Sequence, residues 1–296
     1  MTAKILIFFV QVLARLPLAV SRSIGSFLAR IAIVLKTRGY LVTQRNLEIA
    51  YPELAESERV TLAQESLRQS AQMALETAAV WFRDDAWRAS KKISIEGQPL
   101  FEQARSEGRG VILILPHFGN WEMAGIHFAR QMTSTAMYAP PKLKALNPLM
   151  RHGRSSADLV PTSTRGVMKI LKALREGNMT VILPDQVPVA EEAGIFVPFF
   201  NRPAFTMTLI YKLMRKSNPV VLVAYGIRRK GGFDVGCMEP DQDIYSDNEQ
   251  TAVAAMNASI EKLVAMAPAQ YQWEYKRYKK QPPAPEGQPA YDDIAK

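Results

Sequence analysis

A single cysteine, Cys237, stands in 296 residues, which excludes a disulfide framework and any metal site built on several thiolates. Histidine is almost as scarce. His117, His127 and His152 are the three present, and none sits in a paired-ligand spacing such as HExxH, so no metal is expected. No Walker A loop, no GxGxxG and no GxSxG elbow occurs, which removes the sequence grounds for a phosphate-loop NTPase, a dinucleotide-binding unit or a nucleophile-elbow hydrolase. Nor is there an uninterrupted run of about 20 apolar residues of the kind that spans a bilayer. Acidic residues are missing from the entire amino-terminal stretch, the first being Glu48.

What is present is apolar and basic. Hydrophobic residues make up 48% of the chain, enough for a large α/β domain with a helical appendage. The net charge of +9 favours an anionic partner. From Lys4 to Arg45 the basic residues Arg15, Arg22, Arg30, Lys36 and Arg38 are interleaved with Phe8, Phe9, Ile24, Phe27, Leu28 and Ile31, the composition of a segment that lies on or in an anionic membrane. Arg15 and Pro17 interrupt the first apolar run and no cleavage pattern follows. Residues 1–40 are therefore expected to be an uncleaved anchor or interfacial helix, the plainer alternative being a helix packed on the domain.

The centre of the chain reads as strand, turn and helix. Val111 to Leu115, bounded by Gly110 and Pro116, is a short run of branched residues, as in a strand buried on both faces. Asn120 is a good N-cap for the helix that follows. His117 then lies in a turn at a strand's carboxyl end, where open α/β sheets place ligands, and Glu122 lies in the first helical turn. On one regular helix the two would be roughly 140° apart; a loop lets the carboxylate reach the imidazole and raise its basicity as a general base. The plain alternative is a histidine capping a helix and a glutamate favoured by the helix dipole.

On either side of this unit, strands and helices alternate. A helical prelude runs to residue 82, with strands predicted over 93–96, 135–138, 159–161, 179–183, 220–227 and 233–238, and helices over 98–106, 147–155, 165–175 and 252–266. That alternation predicts a mostly parallel sheet flanked by helices over residues 41–280. The proline-rich stretch 281–296 is expected to be disordered. Asp185 follows Pro184 at another strand end, on the rim that carries His117, to position substrate or to cap backbone amides. Arg165 opens a helix, where a cation opposes the dipole unless an anion is near, and Arg202 sits in an aromatic loop, to bind an anionic head or tie down the loop. Tyr271, Trp273, Tyr275 and Tyr278 alternate with Lys276, Arg277, Lys279 and Lys280, a mixture expected at membrane interfaces and also on nucleic-acid surfaces.

With His117-Phe-Gly-Asn-Trp-Glu122 in view, the chain resembles the bacterial lipid A late acyltransferases, of the lauroyl and myristoyl type, within the wider lysophospholipid and glycerolipid acyltransferases. The likeness continues through Arg165-Gly166, Leu183-Pro184-Asp185-Gln186, the stretch from Phe196 to Thr206, and that from Gln272 to Lys279. Asn201 and Tyr275 depart from the pattern, where many relatives carry glycine and histidine. The resemblance implies an enzyme at the cytoplasmic face of the bacterial inner membrane that moves an acyl chain from acyl carrier protein to a hydroxyl of a lipid A precursor, with no cofactor. It implies His117 as general base oriented by Glu122, with Arg165, Asp185, Arg202 and Asn120 on the substrate side. Its partners would be acyl carrier protein, the anionic glycolipid and an anionic membrane surface, and not nucleic acid. The alternatives are an acyltransferase for another glycolipid or a lysophospholipid, and a peripheral membrane-binding protein without catalysis.

Overall fold

The computed structural model describes residues 3–141, 143–283 and 289–294. Four helices open the chain: α1 (Ala3–Arg15), α2 (Leu18–Val34), α3 (Arg38–Ala50) and the long α4 (Glu56–Phe82). The short α5 (Asp85–Lys91) leads to β1 (Lys92–Glu96) and α6 (Gln98–Ser106). Then come β2 (Val111–Ile114), α7 (Trp121–Ala129), β3 (Ser134–Tyr138), α8 (Asn147–Gly153), β4 (Asp158–Pro161), α9 (Thr164–Arg175) and β5 (Met179–Ile182). A hairpin of β6 (Gly194–Phe199) and β7 (Arg202–Met207) precedes α10 (Leu209–Ser217), β8 (Val220–Arg229), β9 (Gly232–Met238) and α11 (Glu249–Ala265).

Seven strands form one sheet in the order β1-β9-β8-β2-β5-β3-β4. Five of them, β8, β2, β5, β3 and β4, are parallel; β9 is antiparallel to β8, and β1 follows β9. β2 lies in the middle, and its alternation divides the core: Ile112 and Ile114 join the cluster under α9, α10 and α11, whereas Val111, Leu113 and Leu115 join the one under α6 and α7. That is why the run is apolar at every position. The predicted mixed fold and mostly parallel sheet are what the chain adopts. Arg202, expected in an aromatic loop, instead opens the second strand of the β6–β7 hairpin.

α2 packs in an unusual sense. Its small residues Ser21, Gly25 and Ala29 face inward, and a Cβ at Gly25 would meet the backbone of Ala71 on α4 at 2.8 Å. Its large residues face out: Val20, Ile24, Phe27, Leu28, Ile31 and Val34 are all exposed, as are Phe8, Phe9 and Val12 on α1. Among the described residues no single helix is long and apolar enough to cross a membrane; α2 and α3 satisfy the length and composition only as a pair bent by 82°.

Two expectations need correction. Tyr271, Trp273, Arg277 and Tyr278 do not form a surface; all four are nearly fully buried. Arg277 donates to the Phe205 carbonyl and to Thr206 and lies over the Phe199 ring, while Asn46 on α3 donates to the carbonyls of Trp273 and Tyr275. The alternation of aromatic and basic residues thus reflects a strap threaded through the core. The tail also differs from the disorder expected. Ala290, Tyr291 and Ile294 are buried in the larger core cluster, and the Tyr291 hydroxyl donates to Asn46 at 2.6 Å; residues 284–288 and 295–296 lie outside the described residues.

Candidate active site

His117 and Asp185 meet because two neighbouring strands end alike. β2 and β5 are paired in parallel with Ile114 opposite Ile182, and each runs on through Leu-Pro: Leu115-Pro116-His117 and Leu183-Pro184-Asp185. Three residues beyond the same rung, the two side chains meet at the sheet's carboxyl edge. His117 Nδ1 and Asp185 Oδ1 are 2.8 Å apart, and the His117 backbone N–H donates to Asp185 Oδ2 at 2.8 Å. Asp185 is 2% exposed. Burial by itself pushes its carboxyl up, but the adjacent imidazole and these hydrogen bonds outweigh burial and hold it below the ordinary carboxylate range. With Nδ1–H donating to a carboxylate, the ring presents Nε2 as its basic nitrogen; the Gln186 amide nitrogen lies 3.3 Å from it.

The turn carrying His117 is held from three sides. Gln272 N–H donates to the His117 carbonyl and Gly119 N–H to Gln270, so the strap pairs with the turn like a short strand. Asn120 N–H donates to Gly226 of β8 at 2.6 Å. Gly119 has φ +59°, and a Cβ there would meet the Gly226 carbonyl oxygen at 2.2 Å, so only glycine fits. Beneath the turn, Asn120 is fully buried and caps α7: its side-chain oxygen accepts from Met123 N–H, and its amide donates to Glu76 of α4. Glu76 in turn accepts from Arg22 of α2 at 2.7 Å, and Arg22 also donates to the Arg229 and Gly232 carbonyls.

Glu122 has a different place from the one its spacing suggested. Its carboxylate is 6% exposed, pairs with Arg154 and accepts from the Trp81 indole N–H at 3.0 Å. Both ring nitrogens of His117 face other groups, Asp185 and Gln186. The contact proposed between Glu122 and His117 is therefore corrected: strand register brings Asp185 to the ring, and α7 turns Glu122 towards α4 and Arg154. Neither Trp81 nor Arg154 was singled out in the sequence, since partners 41 and 32 residues away leave no local pattern. The repeated Leu-Pro at two strand ends was a signal for Asp185 that could be read.

Two cavities flank Trp121, whose ring stands edge-on to His117 with centroids 4.9 Å apart. One spans about 540 Å³, part of it open to solvent, and is lined mostly by apolar residues, among them Leu115, Ile126, Met137, Val181 and Leu183, with the Glu122–Arg154 pair in its wall. The other, about 370 Å³, is polar and includes His117, Arg228, Gln272 and Glu274. Arg165 is exposed in the first turn of α9, at the carboxyl end of β4, and lines neither cavity. Arg202 opens β7, donates to Gln281 at 3.0 Å and lies over Tyr278, again outside both linings.

The model of the family described as "Bacterial lipid A biosynthesis acyltransferase" matches residues 1–280. The chain belongs to this family. Among its curated relatives are the lipid A biosynthesis lauroyltransferase of Escherichia coli K12, 28% identical over 90% of this chain and 88% of that protein, and the palmitoleoyltransferase of the same strain, 27% identical with the same coverage. The myristoyltransferase of that strain is 23% identical over 88% of this chain and 80% of its own length. The matched residues take in the amino-terminal helices, the strap and the rim that carries His117 and Asp185.

Proposed function

We propose that this protein is an O-acyltransferase of lipid A biosynthesis, moving a fatty acyl chain from acyl carrier protein to a hydroxyl of an acylated lipid A precursor at the cytoplasmic face of the bacterial inner membrane. The observation that carries the reading is the His117–Asp185 pair at 2.8 Å, with His117 lining the polar cavity and Trp121 between it and the apolar one. Asp185 holds the Nδ1–H tautomer, so Nε2 takes the proton of the acceptor hydroxyl. The oxygen then attacks the thioester carbonyl carbon, the C–S bond breaks, and the departing thiolate takes the proton from the imidazolium. Metal, cofactor and covalent enzyme intermediate are not needed for this sequence. The apolar cavity beside Trp121 suits the acyl chain. Exposed Phe8, Phe9, Phe27 and Leu28, with exposed Arg15, Arg30 and Arg38 close by in sequence, suit an anionic lipid surface.

The test is transfer of a labelled acyl group from acyl carrier protein to a tetra-acylated lipid A precursor in detergent, with lysophospholipid as a parallel acceptor. A general base contributes about 10²–10⁴-fold; His117→Ala and Asp185→Asn are each expected to lose turnover on that scale. Normal turnover by His117→Ala would overturn the mechanism. Product with lysophospholipid alone would move the activity to that acceptor, and none with either would favour a non-catalytic membrane protein.

A further inference from the structure

The polar cavity carries a feature the proton transfer does not use. Among the described residues, few buried side-chain polar atoms lack a hydrogen-bond partner, and three of them belong to residues lining this one cavity: Trp121 Nε1, Arg228 Nη1 and Gln272 Oε1. Two are donors and one is an acceptor. Of the rest, Ser21 Oγ, Gln98 Oε1 and Thr208 Oγ1 belong to separate elements, whereas Asn257 Oδ1 and Arg277 Nε belong to side chains that meet at Thr206, away from this cavity. Native proteins pair almost all such atoms, so their convergence beside His117 marks a place where a ligand completes the hydrogen bonding.

The residues are held firmly. Arg228 is 6% exposed; its Nε donates to Gln69 at 3.1 Å, and its backbone N–H donates to Gln270. Gln272 is tied by its backbone to the His117 carbonyl. The electrostatics do not suit an anion. Besides His117, the lining carries one basic residue, Arg228, and one acidic residue, Glu274, which accepts from Ser70 at 3.0 Å, while Glu76 behind Arg228 is already paired with Arg22. Burial pushes the Glu274 carboxyl up, as expected where negative charge is poorly solvated. A phosphate dianion would meet a carboxylate as well as a guanidinium in this lining, whereas a neutral group with hydroxyl and amide oxygens needs no excess of positive charge.

Resting on the acyl-transfer reading, we propose that this cavity is the acceptor subsite for a neutral hydroxyl- and amide-bearing part of the glycolipid, with Arg228 and Trp121 donating to its oxygens and Gln272 accepting from its N–H or O–H. The subsite holds the hydroxyl to be acylated within reach of Nε2, while the acyl chain enters on the other side of Trp121.

Steady-state kinetics of the full chain in detergent, with the precursor in bisphosphorylated and monophosphorylated forms, test this. Gln272→Leu, Trp121→Phe and Arg228→Lys are each expected to raise the acceptor KM by roughly tenfold, the effect of one lost hydrogen bond, on both acceptors alike and with the donor KM unchanged. Trp121→Phe keeps a ring against His117 and removes the indole N–H, so it reports on the subsite even if another replacement disturbs folding. Unchanged acceptor KM in folded variants, with the wild type active, would overturn the subsite alone. A defect of Arg228→Lys confined to the bisphosphorylated acceptor would assign Arg228 to phosphate and overturn the neutral-group assignment. Absence of transfer by the wild type would overturn the acyl-transfer reading, and the subsite with it.

Discussion

Glu122 shows how one carboxylate in a motif takes its role from neighbours remote in sequence. It is buried, and it joins α7 to Arg154 at the end of α8 and to Trp81 at the end of α4. Removing it leaves a guanidinium without its partner and an indole N–H without its acceptor. Loss of one member of a buried pair costs about 3 kcal/mol or more, so Glu122→Ala is expected to lower the denaturation midpoint clearly, and any loss of turnover has to be read against that loss of fold. His117→Ala removes a side chain that is 16% exposed and leaves the backbone N–H of residue 117 donating to the buried Asp185, so its midpoint is expected to fall less than that of Glu122→Ala. Denaturant titration of both variants separates the two: equal midpoints would count against a structural role for Glu122. At this scale the sequence placed His117 and Asp185 on one rim. It could not say which acid meets the imidazole, because Asp185 is 68 residues away and Glu122 only five.

Among the elements, α2 presents two distinct faces. Its outer face is a stripe of large apolar residues, and its inner face sends Arg22 to Glu76, which holds Asn120 under the turn of His117. The pair is well buried, with side chains 13% and 0% exposed. Arg22→Ala is expected to destabilise the protein by roughly 3 kcal/mol and, by loosening the N-cap of α7, to lower turnover in detergent. Turnover at the wild-type level, measured below the unfolding temperature, would show that the network supports the fold without positioning the turn. Most elements were legible in the sequence: the central strand, α6 and α9 fall within a residue or so of their expected bounds. The β6–β7 hairpin was not, since prolines within each strand hide a strand pattern.

For the whole molecule, the sheet sets the chemistry at one edge, and the amino-terminal helices offer an apolar surface that the fold itself does not cover. An exposed stripe of this kind on a folded protein marks an interaction surface. Substituting Phe8, Phe9, Phe27 and Leu28 by serine removes apolar burial worth about 1.5 kcal/mol or more per side chain if the helices enter the interface. We therefore expect flotation with anionic phospholipid vesicles to be lost in that variant and the melting temperature to hold. Retained flotation would place the membrane contact elsewhere.

The sequence alone determined the α/β alternation, the central strand with His117 beyond its carboxyl end, and an amino terminus of apolar and basic residues, because each follows from local periodicity and composition. Only the tertiary structure decided the rest. Parallel register between β2 and β5 chose Asp185 as the partner of His117, and the packing of α7 on α4 and α8 took Glu122 away from it. The aromatic and basic strap, which by composition alone resembles a surface, is buried with Asn46, Thr206 and the backbone pairing most of its polar groups. In each case the deciding contact joins residues far apart in the chain, and spacing along the sequence carries no record of which strands or helices become neighbours.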